Sequence, residues 1–127
     1  MTIPNWEDRT ILIVEDDEIS MEFLTELLAP SNVKIVVARD GKQAVNFCEN
    51  NKAIDVVLMD VRLPKMNGKE AMEEIKKSRP DLPIIAQTAF AMSGDKEKYI
   101  QSGFDDYISK PIIMLDLIQK ISKHFTN

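Results

Sequence analysis

The chain has 127 residues, a single domain's length, with 44% hydrophobic and 29% charged residues. That balance supports a buried core and excludes an intrinsically disordered segment. Lys and Arg number 16 against 21 Asp and Glu, a net charge of −5, so the field repels nucleic acid and anionic membrane surfaces, and no basic cluster reverses it locally. The lone Cys48 excludes an intramolecular disulfide and a thiolate metal cluster. The longest aliphatic runs are too short to cross a bilayer, and residues 1–10 carry no signal-peptide core, so the expected setting is the cytoplasm.

Residues 1–9 read as a lead-in segment, with Trp6 placed to cap one end of the core, and one domain is expected over residues 10–127. A β-branched run at 11–14 predicts a buried strand. It is followed by a helical stripe of Ile19, Phe23, Leu24, Leu27 and Leu28 that Pro30 ends. The run 33–38 predicts a second strand, and Ala44, Val45 and Cys48 predict a second helix after the Gly41 turn. The run 56–59 predicts a third strand. Its helix carries Ala71, Met72 and Ile75 and stops at the Arg79-Pro80 step. The run 84–86 predicts a fourth strand, before a helix over 92–102 with a thin apolar face of Tyr99 and Ile100. Tyr107 and Ile108 mark a fifth strand, and Met114, Leu117, Ile118, Ile121 and Phe125 form the clearest helical stripe. Strict alternation of five strands and five helices predicts an α/β fold, a doubly wound parallel sheet covered on both faces.

Ligands of such sheets bind beyond the carboxyl ends of the strands. The residues there are Glu15-Asp16-Asp17, Arg39-Asp40, Asp60, Thr88-Ala89 and Ser109-Lys110-Pro111. Three or four carboxylates, a hydroxyl and an ammonium thus converge on one rim. Clustered carboxylates raise one another's pKa unless a cation sits among them, and hard oxygen donors without His or Cys favour a magnesium-type ion. A Lys and a hydroxyl opposite that ion would clamp phosphoryl oxygens, and a central carboxylate can serve as nucleophile. The spacing therefore suggests Mg²⁺-assisted phosphoryl chemistry on an aspartate.

The strings ILIVEDDEIS, LMDVRLPKMNGKEA, PIIAQTAFA and GFDDYISKPI, in that order, resemble the response-regulator receiver domains of two-component signalling, the CheY-like superfamily. The wording is that of receivers carried on hybrid histidine kinases, and the likeness runs from about Thr10 to the C-terminus. It implies a flavodoxin-like (βα)5 fold with strand order 2-1-3-4-5.

The resemblance also implies roles. Asp60 matches the phosphoacceptor. Glu15 and Asp16 match the acidic pair that holds Mg²⁺ (or Mn²⁺) together with Asp60 and the backbone carbonyl of Arg62. Lys110 matches the lysine that pairs with a phosphoryl oxygen, before a Lys-Pro bond that is usually cis in the family. Thr88 and Tyr107 match the switch pair, which reshapes the face of the fourth helix, fifth strand and fifth helix. Arg62 and Phe90 occupy the two rate-tuning positions. Their bulk is expected to restrict water and lengthen the phosphorylated lifetime, although Arg62 could instead contact the phosphoryl group. Asp17 reads as a helix N-terminal acid, Cys48 as a core hydrophobe, Gly68 as a structural turn and His124 as a complement to a helix dipole.

The partners implied are a sensor histidine kinase, a histidine phosphotransfer domain, or both, with the chain stand-alone or part of a hybrid kinase, and monomeric or weakly dimeric. It would catalyse its own phosphorylation and dephosphorylation without an external product. An Asp-nucleophile phosphatase is disfavoured because Arg62 stands where such enzymes place a general acid. A nucleotide-binding module is disfavoured because no glycine-rich phosphate loop follows the first strand. A degenerate receiver that only binds partners is the alternative, and none of the expected acids, nor Lys110, is missing.

Overall fold

The computed structural model describes residues 3–89 and 95–125. In chain order the elements are β1 (Thr10–Val14), α1 (Glu18–Leu28), β2 (Lys34–Ala38), α2 (Gly41–Asn50), β3 (Val56–Asp60), α3 (Gly68–Ser78), β4 (Ile84–Thr88), α4 (Asp95–Ser102), β5 (Asp106–Ser109) and α5 (Met114–His124), with a 3-10 turn at Ala29–Ser31. The five strands form one parallel sheet in the order β2-β1-β3-β4-β5. Both the alternation and the expected strand order are present.

Local chemistry sets the helix starts. Asp17 caps α1 by accepting the Ser20 N–H at 2.9 Å, and Asp40 caps α2 by accepting the Gln43 N–H at 2.8 Å. At α3, Asn67 and Glu70 form a reciprocal capping box. Arg79 caps the end of α3 with its main-chain N–H on the Ile75 carbonyl, and its guanidinium ties that end to the carbonyls of Asn51, Lys52 and Ile54.

Successive strand residues point to opposite faces, which divides the core in two. Ile11, Ile13, Leu58, Ile85 and Ile108 pack with Leu24, Leu28, Leu117 and Ile121 of α1 and α5. Leu12, Val14, Met59, Ile84 and Ala86 pack with Ala44, Cys48, Ala71, Met72, Ile75 and Phe104 on the other face. Trp6 is buried in the first cluster, edge-on to Phe125 at 5.0 Å between centroids. Truncating one of these fully buried aliphatics to alanine costs about 2–5 kcal/mol, a large part of a domain's stability.

Two expected faces differ from the structure. The side of α1 that enters the core is Met21, Leu24 and Leu28, whereas Ile19 and Phe23 are 77% and 45% exposed. Of the two apolar residues expected to face inward from α4, Tyr99 is half-buried and Ile100 is exposed. The expected start of that helix, at 92, lies outside the described residues. None of the described helices is long and apolar enough to cross a membrane.

Candidate functional site

The rim at the carboxyl ends of β1, β3, β4 and β5 carries the chemistry. Glu15 follows β1, with its main-chain N–H bonded to the Ala38 carbonyl at 3.0 Å. Its side chain is 1% exposed and accepts the Asp17 N–H at 3.3 Å. Asp60 closes β3 and is itself buried. One of its oxygens accepts the Arg62 N–H at 2.9 Å and the other accepts the Lys110 ammonium at 3.0 Å. Lys110 also reaches Glu15 at 3.4 Å. Its own N–H donates to the Thr88 carbonyl at 2.8 Å, and its peptide bond to Pro111 is cis.

Carboxylate oxygens of Glu15, Asp16 and Asp60 lie within 4.8 Å of one another. Burial, followed by the hydrogen bond and like charge of Asp60, pushes the Glu15 carboxyl from its usual 4.5 up to about 7, while Lys110 and the Asp17 N–H oppose the change. Burial alone would lower the Lys110 pKa, but hydrogen bonds and charge from Asp60 and Glu15 outweigh it and raise the ammonium above its ordinary value. Among the described residues, three acids gather here beside the Lys110 ammonium. The donors are all oxygen, with no imidazole or thiolate among them. That set fits a hard divalent cation such as Mg²⁺.

Asp40, counted on this rim from its place after β2, is outside the cluster. Its carboxylate is committed to the α2 cap and lies 3.6 Å from Lys65. Asp17 is likewise a cap, and bonds to the Ser20 N–H and hydroxyl lower its pKa. Phe90 lies outside the described residues. Thr88 ends β4 with its hydroxyl 3.1 Å from the Tyr99 phenol of α4. Tyr107 is half-buried on β5, with the Lys120 ammonium 4.4 Å from its ring centroid.

Three features were not foreseen from the chain. Gly68 abuts the acceptor's backbone, since a Cβ there would sit 2.6 Å from the Asp60 carbonyl oxygen and 2.8 Å from the Val61 Cα. Gly68 reads as a structural turn in the sequence, but this approach has no signal there. His124 does more than face a helix end, because its Nε2 lies 3.0 Å from buried Asp106, which also has Lys120 and Lys123 at 3.8 Å. Burial would raise the Asp106 pKa, but the His124 hydrogen bond, the Tyr107 N–H and the two lysines hold it below the usual value. Finally, Ile19, Phe23, Leu24, Gln87, Pro111 and Ile112 line a groove beside Lys110, with a volume of about 240 Å³.

The model of the response regulator receiver domain matches residues 11–122. The chain belongs to this family. It is 42% identical over 110 residues to hybrid signal transduction histidine kinase I of Dictyostelium discoideum, matching 80% of this chain but spanning only 6% of that kinase. It is 35% identical over 118 residues to the polar-differentiation response regulator DivK of Brucella anthropi, covering 91% of this chain and 95% of that protein. Among solved structures, the receiver domain of sensor histidine kinase PA1611 from Pseudomonas aeruginosa, with magnesium ion coordinated in its active-site cleft, superposes with a TM-score of 0.83. It is 34% identical, and the match covers 91% of this chain and 95% of that one. The receiver domain of Saccharomyces cerevisiae Ssk1, solved with the histidine phosphotransfer protein Ypd1, gives a TM-score of 0.82 at 28% identity, over 97% of this chain and 90% of that one. This protein is thus a receiver domain of two-component signalling, with the CheY-like fold.

Proposed function

We propose that the domain accepts a phosphoryl group on Asp60 from the phosphohistidine of a kinase or phosphotransfer domain. The observation that carries this reading is the Lys110 ammonium 3.0 Å from an Asp60 oxygen, beside the Glu15, Asp16 and Asp60 carboxylates gathered within 4.8 Å. An Asp60 oxygen forms the new O–P bond as the P–N bond of the donor breaks, and the imidazole leaves with that electron pair. Lys110 takes a phosphoryl oxygen by a charge-assisted hydrogen bond, and the Arg62 N–H holds the other Asp60 oxygen in place. Glu15, Asp16, Asp60 and the Arg62 carbonyl would hold Mg²⁺ (or Mn²⁺), which supplies neutralisation of charge on the transferring oxygens. Arg62 tunes the lifetime of the aspartyl phosphate.

Thr88 is the group that turns toward the new dianion, and Tyr107 follows on the face built by α4, β5 and α5. The phosphoryl group supplies the differential contacts that a two-state change requires.

The partner that fits is a histidine phosphotransfer domain. Ile19, Phe23, Ile113 and Leu115 are large apolar side chains left exposed, and the first two border the groove beside Lys110. Apolar anchors next to the acceptor would seat a helix bearing the donor histidine. The domain would work in the cytoplasm, alone or as part of a hybrid kinase.

The test is treatment with acetyl phosphate and Mg²⁺, then borohydride, which reduces an acyl phosphate to a primary alcohol that peptide mapping locates. Reduction at position 60 is expected. Reduction elsewhere, or none in a protein that carries the adduct, would overturn the assignment.

A further inference from the structure

We propose that Tyr99 is a positioning residue for the switch hydroxyl: its phenol donates to Thr88 Oγ1 and so aims the Thr88 proton at the phosphoryl group on Asp60. This rests on the reading of Asp60 as phosphoacceptor and adds a residue to it.

Thr88 is 1% exposed at the end of β4, and in register with β3 the residue before it, Gln87, pairs with Asp60. The hydroxyl therefore stands just beyond the acceptor, on the neighbouring strand. The Thr88 main chain is held by the Lys110 N–H at 2.8 Å, so the side chain is the part that can turn. Its oxygen lies 3.1 Å from the Tyr99 hydroxyl.

A hydroxyl has one proton and two acceptor sites, whereas phosphoryl oxygens mainly accept. To bond the phosphoryl group, Thr88 must spend its proton there, so any bond it keeps with Tyr99 must be one it accepts. A phenol O–H is a stronger hydrogen-bond donor than an aliphatic alcohol, so Tyr99 is the natural donor of the pair. The chain Tyr99 to Thr88 to phosphoryl then runs in one direction, and each bond polarises the next.

Tyr99 is braced for this role by Phe104, which is buried and edge-on to it at 6.1 Å. A cavity of about 210 Å³ lined by Val61, Asn67, Tyr99 and Phe104, among others, lies on the side of α3. Because the ring belongs to α4, a turn of the Thr88 hydroxyl bears on that helix through the Tyr99 contact.

The experiment measures the affinity of the full chain for beryllofluoride in the presence of Mg²⁺, by calorimetry, for wild type, Tyr99→Phe, Thr88→Val and the double variant. Loss of one neutral hydrogen bond predicts that Tyr99→Phe weakens binding about three- to tenfold. In the Thr88→Val background the same change should have no effect. Unchanged or tighter binding by Tyr99→Phe overturns the proposal, because the phenol would then be idle or competing for the Thr88 proton. An equal loss in both backgrounds also overturns it, because the ring would then act by packing alone. As a second reading, the ring-carbon signal of Tyr99 in ¹³C-tyrosine-labelled protein should move on adding beryllofluoride in wild type and stay in Thr88→Val. Movement in both contradicts the link. A wild type that binds Mg²⁺ but neither beryllofluoride nor phosphoryl group would instead refute the phosphoacceptor reading itself.

Discussion

Replacing Glu15 with glutamine should stabilise the metal-free protein at neutral pH, although the residue belongs to the candidate site. Glu15 is 1% exposed, and its carboxyl is raised from the usual 4.5 to about 7. The folded state thus holds a proton that the unfolded chain releases, and folding grows weaker as the pH rises. The Glu15 contribution is intact below pH 4.5, is lost progressively above it, and is gone once the pH passes about 7. At about 1.4 kcal/mol per pH unit, that interval corresponds to a loss of about 3 kcal/mol. Glutamine removes the charge, and its carbonyl oxygen can still accept the Asp17 N–H that Glu15 accepts at 3.3 Å. Lys110 keeps Asp60 at 3.0 Å. Urea unfolding in EDTA between pH 4 and 8 should give matching stabilities at the acid end and a variant that is more stable by up to about 3 kcal/mol at pH 8. A gap that is constant with pH, or a variant less stable at pH 8, would refute the reasoning, because Glu15 would then not be a buried acid strained by ionisation.

Gln87→Leu should also stabilise the fold, by about 1–3 kcal/mol in the same unfolding assay, because both polar atoms of the buried Gln87 amide lack a hydrogen-bond partner among the described residues; a loss would show that the amide is satisfied. Gly68→Ala should cost about 1–3 kcal/mol and slow phosphorylation by acetyl phosphate, since the added carbon would meet the Asp60 carbonyl oxygen at 2.6 Å. Unaltered rates would show that the backbone around Asp60 tolerates the shift. Arg62→Ala should shorten the half-life of the phosphorylated protein, measured by intact mass over time. A longer half-life would mean that the guanidinium promotes hydrolysis rather than hindering water.

What was legible in the chain was what depends on periodicity and strand ends. β-branched runs mark strands wherever they are buried on both faces, and the acids at 15, 16 and 60 with Lys110 follow those runs directly, so the fold brings them together as the spacing implied. The stripe on α1 was misread at Ile19 and Phe23 because a 3.6-residue period places residues on a face without saying whether the sheet or solvent meets it. Met21, absent from that stripe, is buried instead. Asp40 looked like a site acid because it follows a strand, but an aspartate three residues before an unpaired helix N–H is as readily a cap. Contacts between distant elements had no local signal. His124 meets Asp106 across 18 residues and Tyr99 meets Thr88 across 11, and in each pair the partner is chosen by the packing of a helix on the sheet.

The function proposed above requires Asp60 to take a phosphoryl group with the help of a divalent ion held by its neighbours. The direct measurement is the intact mass of the protein after incubation with acetyl phosphate, with Mg²⁺ or with EDTA, for wild type and Asp60→Asn. One phosphoryl adduct is expected on wild type in Mg²⁺, none in EDTA and none on the variant. An adduct that survives in Asp60→Asn, or that forms equally well in EDTA, would contradict it.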